Sequence, residues 1–329
     1  MFATPRATTS KPSSTIADTI DESTHRPRVA VTGEIPERVR AELALDFEVV
    51  ESPEGVDGIL ALLPTRIDDE FLARAGPQLR IVANYGVGVD NIDLDAARAR
   101  GIVIANTPDV LTKATAEQAI ALTLALLRRV AEGDRFLRRG AEWRFSVEFM
   151  LGESLDRKRV AIVGPGRIGR ETARLAEAHG ATVLFVGRTD SLYDALRVAD
   201  VVSLHVPASP ETRHLIDADA LDAMKDTAVL VNTARGTIVD EAALVDALRS
   251  GRIAGAALDV FEFEPHVSPE LLEHENVVLT PHLGYVTVEG YREAYGGAVE
   301  DIRTFLRGAP VRVLNEEVLG TRELRMART

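Results

Sequence analysis

Apolar and polar positions divide the chain into two successive series in which short β-branched runs alternate with amphipathic stretches. In the first series, residues 28–32, 47–50, 58–62, 79–83 and 102–105 read as strands, with helices near 37–43, 68–73 and 95–100 between them. The second series begins at Arg159, with strands near 160–163, 182–186, 201–204, 228–231, 254–258 and 277–279. Asp240 in front of 241–248 and Gly251 behind it mark a helix with a capping residue and a glycine stop. Strands alternating with helices in this way build parallel sheets. The expectation is an α/β protein of two doubly wound, Rossmann-like domains with a cleft between them. No internal repeat at solenoid spacing is present.

Residues 112–139, between the two series, form one long helical pattern. Ala116, Ala119, Ile120, Thr123, Leu124, Leu127 and Val130 make a stripe, and Leu122 and Leu126 carry the apolar surface onto a second side. So wide an apolar arc is buried on more than one side, either within the chain or at a subunit interface. A last helix, near 289–307, follows the second series and can return to the first domain. The chain then crosses the cleft twice, near Thr107 and near Tyr285, and both crossings are candidate hinges. The resulting division is a disordered tail over 1–27, a discontinuous domain over 28–107 and 287–316, a second domain over 108–286, and a C-terminal tail over 317–329.

The sharpest local motif opens the second series. Val160-Ala-Ile-Val enters Gly164-Pro-Gly166-Arg-Ile-Gly169, and a helical pattern follows over 171–179. Gly164 suits a tight turn, Gly166 allows backbone to approach a pyrophosphate, and Gly169 lets helix and strand pack closely. Backbone N–H groups near Arg167 and Ile168 then point at the anion. Pro165 lacks an N–H, but its position is not a required donor.

Composition narrows the function classes. The 329 residues are 46% hydrophobic and 27% charged, which is ordinary for a globular chain of two domains. No uninterrupted apolar run of membrane-spanning length is present, and a net charge of −13 argues against nucleic acid or an anionic membrane as partner. Zero cysteines exclude disulfides, thiolate metal sites and a cysteine nucleophile. The first 27 residues are rich in Ser, Thr and Pro without a secretory apolar core, so cytoplasm is the expected location.

Three polar residues stand just past strands of the second series, where open parallel sheets place ligands. These are Arg235 in Val231-Asn-Thr-Ala-Arg-Gly236, Glu264 in Asp259-Val-Phe-Glu-Phe-Glu-Pro265, and His282 in Thr280-Pro-His-Leu-Gly284. Beside a dinucleotide they suggest hydride transfer to the carbonyl of a carboxylate-bearing substrate. A guanidinium fork suits a planar oxyanion. An imidazole kept protonated by a carboxylate can supply the proton. His25, His179, His214, His266 and His274 need no role. His266 and His274 with Glu270 and Glu273 lack tight metal-ligand spacing, so no metal is expected.

Five motifs in series resemble those of the D-isomer-specific 2-hydroxyacid dehydrogenase family: Asn84-Tyr-Gly-Val-Gly-Val-Asp-Asn-Ile-Asp93, the glycine turn, Asn232-Thr-Ala-Arg-Gly236, Asp259-Val-Phe-x-x-Glu-Pro265 and Pro281-His-Leu-Gly284. His205-Val-Pro207 lies between the second and third. The resemblance spans about residues 28–315. It implies catalytic roles for Arg235, Glu264 and His282, and a substrate-carboxylate site at the backbone of Gly86, Val87 and Gly88. It further implies that Asp259 contacts the nicotinamide carboxamide and that His205 and Pro207 lie on the adenine side. Thr107 and Thr112 sit in the segment expected to approach the nicotinamide, and Thr233 is a further expected cofactor-binding residue. Family members are dimers built around the helix between the domains, which favours the interface reading of 112–139.

An NAD-specific domain carries an acidic residue about 20 positions after the glycine turn. Here Gly187 stands there and Arg188 follows, with Thr189 and Ser191 nearby. A guanidinium suits a 2′-phosphate, so NADP(H) is favoured over NAD(H), with Asp190 as the counter-evidence. The 188–199 connection is also shorter than is usual in the family. Within the family, the 84–93 and 107–112 segments and Gly187-Arg188 are most similar to glyoxylate/hydroxypyruvate reductases. The implied reaction is reduction of glyoxylate or hydroxypyruvate to glycolate or D-glycerate. Dehydrogenation of a larger 2-keto acid is the alternative, with Leu63, Tyr85, Trp143 and Phe149 setting the choice. A nucleotide-sensing interaction protein resembling the C-terminal-binding co-repressors is the reading from another class.

Overall fold

The computed structural model describes residues 26–63, 65–309 and 313–319. Nearly all of the N-terminal tail read over 1–27, with His25, and most of the tail read over 317–329 lie outside them. The elements run β1 (Arg28–Val31), α1 (Glu37–Leu43), β2 (Glu48–Val50), β3 (Gly58–Ala61), α2 (Asp69–Ala75), β4 (Ile81–Asn84), α3 (Leu94–Arg100) and β5 (Val103–Ala105). Next come α4 (Thr112–Leu127), α5 (Val130–Arg138), β6 (Arg159–Val163), α6 (Arg167–Ala178), β7 (Thr182–Val186), α7 (Leu192–Val198), β8 (Val201–Leu204) and α8 (Ala218–Ala223). The chain ends with β9 (Val229–Asn232), α9 (Glu241–Arg249), β10 (Gly255–Leu258), α10 (Pro269–Glu273), β11 (Val277–Leu279) and α11 (Val288–Leu306).

Both sheets are wholly parallel, in the orders β2-β1-β3-β4-β5 and β11-β10-β9-β8-β6-β7. The two doubly wound α/β domains expected from the alternation are present. Their inner strands are apolar along both faces because helices cover both sides. In the second sheet Val163, Leu204, Leu230 and Leu258 enter one core, while Ile162, Val201, Val231 and Ala257 enter the other. In the first sheet Val31, Leu60, Ile81 and Ala83 face α11, and Ile59, Val82 and Ile104 face the opposite core. The strand order of each sheet reverses at its first strand, and the crevice beyond the carboxyl ends at such a reversal is where open sheets take ligands. For the second sheet that point lies between β6 and β8.

The pattern over 112–139 forms two helices, not one. The α4 helix ends because the returning backbone takes its last turn: the Glu153 N–H donates to the Leu127 carbonyl at 2.8 Å. A Cβ at Gly152 would come within 2.6 Å of that same oxygen. Arg129 then turns left-handed at φ 53°, and α5 leaves in a new direction with Arg129 paired to Glu132. The α4 helix is intramolecular core. Ile120, Leu122, Leu126 and Leu127 pack under the second sheet, each burial stabilising by about 1.5–3 kcal/mol. By contrast, α5 buries no residue, and the 139–151 segment that follows exposes Trp143, Phe145, Val147 and Leu151.

The last helix returns to the first domain as the pattern suggests. Thr287 caps it, accepting from the Gly290 N–H at 3.0 Å, and Ala294, Ala298, Val299 and Ile302 close the first core. Val318, which the sequence division left in a tail, is 2% exposed within that core. Asn315 ties the same segment to the edge strand by bonds to the Ile104 N–H and the Ile102 carbonyl. No helix among the described residues is long and apolar enough to cross a membrane.

Candidate active site

A cavity of about 900 Å³ runs between the two domains. On the second-domain side its wall begins at the glycine turn. Gly164 adopts φ 96°, its N–H bonds the Val186 carbonyl, and its own carbonyl accepts from the Gly166 N–H at 2.8 Å. A Cβ at Gly164 would meet His205 backbone at 2.7 Å, and one at Gly169 would meet the Gly164 carbonyl at 2.3 Å. Tight packing therefore demands glycine at both positions. At Gly166 a Cβ would meet nothing within 4 Å. The space it leaves open faces the cavity at the start of α6, where free N–H groups suit a pyrophosphate. Arg167 and Ile168 line the same stretch.

Across the strand reversal, His205 and Pro207 also line the cavity. Burial pushes the His205 imidazole down to about 4, so the ring is neutral, with Nε2 2.9 Å from the Ser203 hydroxyl. Thr112 and Thr233 stand farther along the wall. The Thr233 hydroxyl is buried and has no partner among the described residues. An open glycine cradle and an orphaned hydroxyl in the wall of one cavity fit a polar cofactor such as a nicotinamide dinucleotide.

His282 and Arg235 line one cavity although they come from different strand ends. The turn carrying His282 is wrapped around Asp259, which is buried. One Asp259 carboxylate oxygen accepts from the Leu283 N–H and the Thr280 hydroxyl, the other from the Gly284 N–H, and the Asp259 carbonyl accepts from the His282 N–H. These bonds hold His282 left-handed at φ 55°. The Asp259 carboxylate thus builds the histidine turn as well as lining the cavity. His282 Nδ1 lies 2.8 Å from Glu264, whose other oxygen accepts from the Phe261 N–H at 2.9 Å. Burial pushes the Glu264 carboxyl up, but the bonds from His282 and Phe261 outweigh it and leave the group below the usual carboxylate range. An ionised carboxylate only accepts, so His282 Nδ1 carries the proton and Nε2 is left for a ligand.

The first domain contributes the 86–90 loop. Asn84 and Asn106 side chains hold it by bonds to the Gly88 and Val87 carbonyls. The Gly86 N–H donates to the Thr107 hydroxyl at 3.2 Å. Of the three N–H groups expected to face a substrate carboxylate, only those of Val87 and Gly88 have no acceptor among the described residues. Asp90, to which sequence reasoning gave no role, forms a fork-to-fork pair with Arg235: Nε lies 3.1 Å from both carboxylate oxygens and Nη2 lies 2.9 Å from one. The acid was visible inside the 84–93 motif, but nothing local signals a partner 145 residues away.

Not every expected residue reaches the cavity. Arg188 and Thr189 lie outside its lining, exposed beyond β7. Asp190 folds back so that its carboxylate accepts from the Gly187 N–H at 2.8 Å, which turns it away from the role of a free ribose-reading acid. Leu63 lines the cavity, whereas Tyr85 sits behind the wall against Tyr285 and Tyr295. Trp143 is 61% exposed on the protruding segment, and Phe149 packs on Phe136 of α5, so neither belongs to the lining within one chain.

Comparisons with known proteins find relatives over most of the chain. Residues 120–284 match the family model for the D-isomer specific 2-hydroxyacid dehydrogenase, NAD binding domain. A glyoxylate reductase of Pyrococcus furiosus is 42% identical, over 91% of this chain and 98% of its own length. A solved protein of Thermus thermophilus superposes with a TM-score of 0.82 at 40% identity, covering 87% of this chain and 99% of that one. The NADPH-dependent glyoxylate/hydroxypyruvate reductase of Sinorhizobium meliloti, solved with NADP and malonate, gives 0.79 at 36% identity, covering 88% and 96%. The chain is therefore a member of the D-isomer specific 2-hydroxyacid dehydrogenase family, an oxidoreductase with an NAD-binding domain.

Proposed function

We propose that the protein reduces glyoxylate and hydroxypyruvate to glycolate and D-glycerate, with NADPH as the preferred donor. The observation that carries this reading is the meeting of Arg235 and the His282–Glu264 pair in one cavity with the glycine cradle. When bound, the reduced nicotinamide supplies the hydride. The Val87 and Gly88 N–H groups hold the substrate carboxylate, and Arg235 binds and polarises the carbonyl oxygen. His282 holds a proton at Nε2 and releases it to the oxygen as negative charge develops there, while Glu264 orients the ring. Thr233 and Asp259 serve the nicotinamide end, and Arg188 with Thr189 the 2′-phosphate. Relatives that carry the glyoxylate reductase name support the substrate, and the NADP-bound neighbour supports the cofactor.

We further propose a homodimer in which α5 and the 139–151 segment pack on a second copy. Phe145 at 86% and Val147 at 80% exposure present apolar side chains that a subunit interface would cover. The deciding assay follows oxidation of NADPH and of NADH separately, with glyoxylate, hydroxypyruvate, pyruvate and 2-ketogluconate. Turnover highest with NADPH and the first two acids is expected. Preference for 2-ketogluconate would move the reading to the larger substrates. No turnover with any of them would favour a nucleotide-sensing protein.

A further inference from the structure

We infer that Asp90 is a positioning residue for Arg235, fixing the guanidinium from the opposite domain so that its remaining protons meet the substrate carbonyl. A guanidinium has five N–H donors. Here Nε and one proton of Nη2 are taken by Asp90, and Nη1 gives one proton to the Ala234 carbonyl at 2.7 Å. One proton on Nη1 and one on Nη2 remain, held by a residue that is clamped on two sides. Without the clamp, a long arginine at the cleft edge would sample several rotamers, each costing orientation at the reacting centre.

The surroundings are built for this pair. A Cβ at position 88 would fall 2.0 Å from Arg235 Nη2 and 2.9 Å from an Asp90 oxygen, so only glycine leaves room for it. Burial pushes the Asp90 carboxyl up, but the Arg235 pairing more than offsets this and keeps the group ionised, below the usual aspartate range. Charge and position then make opposite predictions about the anionic substrate. Asp90 neutralises Arg235, so its removal leaves a net positive site that should bind a keto acid at least as well. If Asp90 positions the guanidinium, the same removal should slow the chemical step.

This inference rests on the reductase reading. Asp90→Asn and Asp90→Glu would be compared with the parent for kcat and KM with glyoxylate, for NADPH affinity by fluorescence, and for Tm. For Asp90→Asn, kcat should fall at least tenfold, with KM for glyoxylate unchanged or lower and with NADPH affinity and Tm kept; Asp90→Glu should recover part of the loss. In the parent, the Arg235 Nε–H resonance should be protected from exchange without any ligand and lose that protection in Asp90→Asn. Retention of kcat within twofold would overturn the inference, as would a fall in kcat matched by losses of NADPH affinity and Tm, or an unprotected Nε–H in the parent. A parent without turnover on any keto acid would instead sink the reductase reading, while the resonance still tests the clamp.

Discussion

His282 is held from three directions: its backbone by Asp259, its ring by Glu264, and its edge by the Tyr285 ring at 5.7 Å. A side chain so constrained has been fitted to one task, and proton donation by such a group is typically worth about a hundredfold or more. His282→Ala is therefore expected to lower turnover by about that factor while leaving NADPH affinity intact; near-native turnover would remove the residue from its role. Arg188 makes a second test at this scale. Charge-assisted bonds are worth about 1.5–3 kcal/mol, so Arg188→Ala should weaken NADPH binding by about tenfold or more and NADH binding little, read by titration of each. Equal weakening of both would refute the 2′-phosphate assignment. Arg235, Glu264 and His282 could be singled out in the sequence because each follows a strand end in a short, distinctive motif. The Asp90 clamp, the Asp259-centred turn and the diversion of Asp190 could not, because each depends on which backbone or side chain lies across a gap that spacing does not encode.

At the level of elements, the strands were readable because burial on both faces leaves unbroken Val, Ile, Leu and Ala runs. The capped helices were readable because their start signals are local, as with Asp240 at the start of α9. The break between α4 and α5 was not readable. Apolar periodicity continues through Leu127 to Val130, and the helix stops only because a distant segment, 151–153, claims its final carbonyl. The docking of α11 was suggested by its place in the chain, but its ionic anchor was hidden. Arg303 binds Asp46, between α1 and β2, at 2.7 Å, and Arg307 adds a second contact. The Arg303 hydrogen bond holds the Asp46 carboxyl below its ordinary value near 3.8. A depressed carboxyl stabilises fully above that ordinary value, and the stabilisation fades as pH falls through the folded one. Asp46→Asn should lower Tm by roughly 2–4 °C at pH 7. The gap between variant and parent should close as pH is taken below the ordinary value, as followed by circular dichroism. A gap that stayed constant with pH would show that the pair does not act through charge.

At the scale of the whole molecule, the proposed dimer rests on the exposed apolar side chains of the 139–151 segment. Replacing Phe145 and Val147 together by Asp should convert the proposed dimer to a monomer in sedimentation. A dimer that survives this change would place the interface elsewhere. The same experiment bears on Trp143, which does not line the interdomain cavity of its own chain.

The two places where the backbone passes between domains carry Thr107, bonded to Gly86, and Tyr285, stacked edge-on near Tyr85. Both contacts adjoin the loop that presents Val87, Gly88 and Asp90. We propose that these crossings act as the hinge, which puts its pivot beside the Asp90–Arg235 pair. A swing about them is expected to part the exposed Asp109–Arg167 bridge at the rim, where the dinucleotide would enter. Such a hinge would let a bulky coenzyme come and go while the Asp90–Arg235 pair at the pivot stays joined.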